Sequence, residues 1–207
     1  MLLRAVLFIC GAVVMSVEIL AGRAMAVDFG STLQVWGAII GTFIGALSLG
    51  YWLGGVAADR WPTRLGLAGV ISASGILISL VVLINAPVSD FVYTVNIAGS
   101  AATWLRPLIA CAIIYLVPVM LLGAVSPYCV RLAAKDLSQL GKRVGGFYAI
   151  SSLGSIFGTF LTAFYLIGVA GMRAIVLAEG LLLLALAVPV YLAGFFFEET
   201  RPPTLSA

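Results

Sequence analysis

The chain has 207 residues, of which 63% are hydrophobic and only 9% charged, with a net charge of +3. A globular domain in water carries roughly a quarter charged residues, so composition places most of this chain in lipid. It excludes a sizeable aqueous catalytic domain and gives no basic patch of the kind that binds nucleic acid.

A span of about 20 mainly apolar residues crosses a hydrocarbon core of about 30 Å, and its backbone groups must bond within their own helix. Six such runs are expected, at about residues 2–24, 33–56, 65–86, 105–130, 144–167 and 172–197. The expected fold is one all-α integral membrane domain of six transmembrane helices.

The first run carries Arg4 and ends near Ala24-Met25-Ala26, imitating a secretory signal. Glu18 lies late in its apolar stretch and argues against cleavage, so it is expected to stay as the first span. The second run holds Trp36-Gly37-Ala38-Ile39-Ile40-Gly41-Thr42-Phe43-Ile44-Gly45. A tight turn over residues 58–64 makes the second and third spans antiparallel neighbours. Residues 87–104, with Asp90 and Asn96, are too polar for a span and are expected at the surface, partly helical.

The fourth run contains Pro118 and Pro127, which predict a kinked helix. A charged loop over residues 131–143 leads into the fifth, which reads Tyr148-Ala149-Ile150-Ser151-Ser152-Leu153-Gly154-Ser155-Ile156-Phe157-Gly158. The sixth ends at Glu198-Glu199-Thr200-Arg201.

Lys and Arg divide unequally between the two sides of these spans. Arg4, Arg60, Arg64, Arg131, Lys135, Lys142, Arg143 and Arg201 fall on one side; Arg23, Arg106 and Arg173 fall on the other. The positive-inside rule then puts both termini in the cytoplasm, as for a bacterial inner-membrane protein. Cys10, Cys111 and Cys129 have no metal-ligand spacing and no histidine accompanies them, so they read as small buried hydrophobes, and no metal or cofactor is expected.

Gly41 with Gly45, and Gly154 with Gly158, both fit Gly-[Thr/Ser]-x-x-Gly. Small residues four apart line one helix face and admit a neighbouring backbone. An aromatic residue precedes each pair, and the two spans run in opposite directions, so spans one to three and four to six form a candidate inverted repeat, as in secondary transporters. Gly54, Gly55, Asp59 and Arg60 lie in Gly50-Tyr51-Trp52-Leu53-Gly54-Gly55-Val56-Ala57-Ala58-Asp59-Arg60, which resembles the loop between the second and third helices of major facilitator transporters. The resemblance implies packing or gating roles; the bland alternatives are ordinary helix packing and a charged turn.

Ionisable residues inside lipid are costly, which makes Glu18 and Glu179 the leading functional candidates. At about 1.5 Å per residue both lie roughly 10–12 Å below the same surface, so they are expected to share one cavity that binds a cation or a proton. Alternatively each is neutralised by Arg23, Arg106 or Arg173. Arg23 is poorly placed around the helix for Glu18, so another helix should supply that partner. Tyr115, Tyr148, Ser151 and Ser152 could line a polar cavity, though span hydroxyls often bond their own preceding turn.

Glu18-Ile19-Leu20-Ala21-Gly22-Arg23, Phe29-Gly30-Ser31-Thr32-Leu33-Gln34-Val35-Trp36, Leu49-Gly50-Tyr51-Trp52-Leu53-Gly54-Gly55 and Gly145-Gly146-Phe147-Tyr148-Ala149-Ile150-Ser151-Ser152-Leu153-Gly154-Ser155 resemble the membrane region of spermidine-synthase-like proteins, fused major-facilitator and synthase chains. In that family a soluble aminopropyltransferase-like domain commonly follows. The sequence departs from the pattern: it has no Gly-x-Gly-x-x-Gly loop after a strand and no acidic polyamine-binding cluster, so the synthase half is not carried over and is expected to be missing. The resemblance implies half of a major-facilitator-like unit, hence a small transporter for a cationic or polar solute acting as a homodimer. The other reading is a module that anchors a separate synthase-like protein. A membrane enzyme is disfavoured because no nucleophile, base and orienting residue assemble from these motifs.

Overall fold

A computed structural model describes residues 1–95, 97, 99–133 and 140–198. Six helices are long and apolar enough to span a membrane. They are α1 (Leu2–Phe29), α2 (Leu33–Arg60), α3 (Arg64–Thr94), α4 (Ala102–Ala133), the fifth span described next, and α7 (Met172–Glu198). The fifth is α5 (Leu140–Leu161), which passes through a π turn (Thr162–Leu166) into the short α6 (Ile167–Val169). Lys135, Asn96, Glu199, Thr200 and Arg201 lie outside the described residues, as do residues 134–139 of the loop expected over 131–143, whose two ends belong to α4 and α5.

Several helices outrun their expected ends. α3 continues through Pro87 to Thr94, so the surface segment expected from residue 87 shrinks to a short link with a 3-10 turn at Gly99–Ala101. A proline removes one N–H bond but does not end a helix that neighbours support on both sides. α2 likewise reaches Arg60, leaving only Trp61, Pro62 and Thr63 as the turn. The Thr63 hydroxyl accepts from the Gly66 N–H at 3.0 Å and caps α3. Between α1 and α2 the chain reverses at Gly30, whose φ of 80° favours glycine, and Thr32 caps α2 by accepting from Val35.

Each span packs chiefly on one partner: α1 on α5, α2 on α4, α3 on α7, with α3 against α4 and α1 against α4 holding the pairs together. Glycines make these seams. A Cβ at Gly154 would collide with the Phe8 carbonyl, one at Gly158 with Ala12, and one at Gly11 with Ser151. Across the other seam, Gly50 meets the backbone of Met120, Gly54 that of Ala124, and Gly123 that of Leu47. α3 and α7 cross at Gly75 and Gly180, where a Cβ on either would lie 2.8 Å from the other's carbonyl oxygen.

Gly54, Gly154 and Gly158 therefore sit at helix contacts. Gly41 and Gly45 do not: among the described residues nothing lies within 4 Å of a Cβ built on either, nor on Gly55. Their four-residue spacing puts them on one face, as expected, but α4 packs on the opposite side of α2, through Ala38, Thr42, Ala46, Gly50 and Gly54.

Gly154→Val and Gly50→Val should each destabilise the purified protein by about 1–3 kcal/mol or prevent folding, because carbonyl backbone occupies the space the side chain needs. Gly41→Ala and Gly45→Ala should leave the melting temperature of the monomer in detergent unchanged.

Candidate functional site

The bundle has a basic end and an opposite end. Met1, Arg4, Arg64, Lys142 and Arg143 line one hollow at the basic end, and Gly194 of α7 packs on Leu65 there. Asp59 of α2 pairs with Arg131 of α4 at 2.8 Å, while Arg60 lies 5.1 Å over the ring of Trp61. Both members of the ion pair are exposed, so it contributes at most about 1 kcal/mol. The Tyr128 hydroxyl donates to the Trp61 carbonyl and tethers the α2 to α3 turn to α4.

At the opposite end Asp28, Asn85, Tyr115 and Arg173 line a cavity of about 180 Å³ between α1, α3, α4 and α7. Tyr93 of α3 closes this end: it stacks on Phe29 at 5.3 Å, donates to the Asp28 carbonyl, and carries Arg106 5.4 Å above its ring. Arg106 and Arg173 are thus engaged in this layer, not with the glutamates. Asp28 and Asn85 belong to it without a motif in the sequence to announce them. Only their position near span ends could have drawn attention.

Glu18 and Glu179 do not share a cavity. Glu179 is 7% exposed and accepts a hydrogen bond from Ser16, whose hydroxyl also bonds that of Thr162. Ser16 and Glu18 stand two positions apart on α1, which turns their side chains about 200° from one another. Counting from span ends gives a side chain's depth and not the direction in which it points.

Glu18 lies on the α1 face that carries Gly11 and Gly22. Ser151 of α5 packs on Gly11, and the Trp36 ring of α2 packs on Gly22. The carboxyl is half-buried between these two crossings, and among the described residues no hydrogen-bond or ion-pair partner reaches it. The partner expected from another helix, and the alternative partner Arg23, are both absent there; Arg23 is exposed on the far side of the turn.

α2 and α5 are not a packed pair among the described residues, and Glu18 lies on the α1 face between its crossings with them. Towards the basic end Tyr51 of α2 and Tyr148 of α5 come near enough for their phenols to interact electrostatically. Ser152 is exposed and Ser151 half-buried on the α5 side, while Ser48 on the α2 side is turned back to the Ile44 carbonyl at 2.8 Å. Among the described residues no group of three or more His, Cys, Asp and Glu could hold a metal ion. A half-buried carboxylate flanked by helices that carry hydroxyls, phenols and an indole can bind a cation by charge, hydrogen bonds and ring faces.

The three cysteines are buried, so a cysteine introduced at the site should react alone. Glu18→Cys should label readily with a water-soluble maleimide in permeable membranes. Glu179→Cys should label only after denaturation, and equal labelling of the two would refute the separation of the sites.

No family model matches this chain, and no curated protein or solved structure is significantly similar to it.

Proposed function

We propose that the chain is a small membrane carrier for a cationic or polar solute, with Glu18 as the solute's counter-charge between α2 and α5. The observation that carries this reading is Glu18 itself. A carboxyl within a span that has no partner among the described residues is costly to ionise there, and a cation, water or a proton must meet it.

An inverted repeat of α1–α3 with α4–α7 is part of the proposal, in a register different from that of Gly41 and Gly45. Exchanging α1 with α4 and α2 with α5 turns one glycine seam into the other. Phe8, Gly11 and Ala12 then take the places of Met120, Gly123 and Ala124, while Leu47, Gly50 and Gly54 take those of Ser151, Gly154 and Gly158. The exchange leaves the α3 to α7 crossing in place, reciprocal at Gly75 and Gly180. Gly11-Ala12-Val13 and Gly123-Ala124-Val125 are the same tripeptide. Such repeats let two halves of a bundle rock about a midplane site.

A homodimer completes the unit. In a single chain Glu18 is half-buried, and among the described residues nothing covers the face with Gly37, Gly41 and Gly45. A second copy laid on α2 and α5 encloses Glu18 and uses those glycines for close approach. The basic end faces the cytoplasm of a bacterial inner membrane in this reading, by the positive-inside rule. The resemblance to spermidine-synthase-like membrane regions favours a polyamine-like cation and carries no enzyme activity to this chain.

Purified protein in liposomes should take up polyamines or related organic cations. Glu18→Gln should abolish that uptake, and Gly41→Leu should weaken the dimer seen by cross-linking. Absence of uptake of any organic cation by folded protein, together with co-purification of a soluble aminopropyltransferase-like protein, would favour the anchoring module instead.

A further inference from the structure

The second buried carboxyl has surroundings of another kind. Glu179 of α7 projects into a cavity of about 150 Å³ between α1, α5 and α7, whose walls include Phe8, Val13, Phe157, Leu161 and Leu182. It begins a chain of two hydroxyls. Ser16, at mid-height on α1, donates to Oε1; Thr162, fully buried, bonds Ser16 at 2.5 Å in a contact where either oxygen can be the donor. Oε2 is buried with no hydrogen-bond partner.

Among the described residues no lysine, arginine, aspartate, tyrosine or cysteine lines this cavity. On the α3 side of α7 the neighbouring polar group is Ser79, whose hydroxyl is bonded to its own Gly75 carbonyl at 2.9 Å. Four side-chain oxygens in a carbon-walled pocket are too few for a hard divalent cation, which for Ca²⁺ collects about six to eight. They suffice for a proton.

Thr162 reaches Ser16 because the fifth span changes pitch at that level. The π turn over Thr162–Leu166 bonds the Ile167 N–H back to the Thr162 carbonyl, five residues away. Single π turns are rare and frequently mark functional positions. Here the turn brings a hydroxyl from α5 to a carboxyl on α7 through α1.

We propose that Glu179, Ser16 and Thr162 form a proton-binding site, separate from Glu18, that couples solute movement to protons. With the carboxylate ionised, Thr162 donates to Ser16 and Ser16 donates to Oε1. Uptake of one proton from water makes the carboxylic acid, whose new O–H donates to Ser16, while the Ser16 hydrogen rotates to Thr162 and the Thr162 hydrogen turns away from Ser16. Release reverses each step and returns the proton to water. The heavy atoms keep their places while the hydrogen-bond chain linking α7 to α1 and the π turn reverses direction.

The coupling role rests on the carrier reading, but the site is tested without transport. Infrared difference spectra of the full chain in lipid, between acid and alkaline pH, should contain a carboxylic-acid C=O band that titrates. It should be lost in Glu179→Gln, displaced in Glu179→Asp, and kept in Glu18→Gln. Ser16→Ala and Thr162→Val should shift its frequency and midpoint without removing it. A Glu179→Gln spectrum unchanged from the native protein, or a band that follows sodium at constant pH, would overturn the proposal. In liposomes, Glu179→Gln should abolish accumulation driven by a pH gradient while downhill uptake continues; a titrating band without any uptake would reject the carrier and leave the proton site standing.

Discussion

Backbone touching backbone is the contact on which this structure depends. In lipid the helices gain little by hiding apolar surface from one another, so association must come from close packing and from polar contacts that lipid cannot offer. The three main seams are built at glycines: Gly11, Gly154 and Gly158 between α1 and α5, Gly50, Gly54 and Gly123 between α2 and α4, Gly75 and Gly180 between α3 and α7. At these points carbonyl oxygens of one helix occupy the space of the missing side chain. The Ser155 hydroxyl adds a bond to the Gly11 carbonyl at 3.2 Å, which a wider helix separation would not allow.

That constraint also locates the polar groups. Once α1 is pinned to α5 near Gly11 and to α2 at Gly22, its remaining turns have no freedom to rotate. Ser16 is directed towards α7 and the π turn, and Glu18 towards the side of α1 that α2 and α5 flank. Two residues of one helix thereby serve two different environments. The glycine packing is what makes the division permanent, since a rotation that brought Glu18 to Glu179 would drive the Phe8 and Ala12 carbonyls off the α5 glycines.

Composition alone was enough to read six apolar helices, because length and hydropathy are properties of single segments. Helix ends were less legible: α3 runs through Pro87, where neighbouring helices supply the support that a local rule cannot know about. Which glycines pack was legible only in part. Gly154 and Gly158 fit their motif and sit in a seam, whereas Gly41 and Gly45 fit the same motif and face outward, since spacing defines a face but not what covers it. The depth of Glu18 and Glu179 could be counted from span ends, yet their directions depend on the rotation of α1, and that is a tertiary quantity. Thr162 gave no signal, because nothing in a threonine within an apolar run announces a π turn.

The contrast between the two carboxyls bears on how a chain of this size could couple two events. One carboxyl accepts a hydrogen bond from a neutral hydroxyl beside a carbon-walled cavity; the other is half-buried and, among the described residues, has no hydrogen-bond or ion-pair partner. They are joined through α1, on which Ser16 and Glu18 are two positions apart. Any change in the bond from Ser16 to α7 acts on the same helix turn that carries Glu18. A tilt of α1 against its glycine seams would reach both sites at once, because those seams are close contacts without side chains to absorb displacement. Coupling in this bundle therefore needs no long relay: it needs only that the turn from Ser16 to Glu18 move as one rigid body.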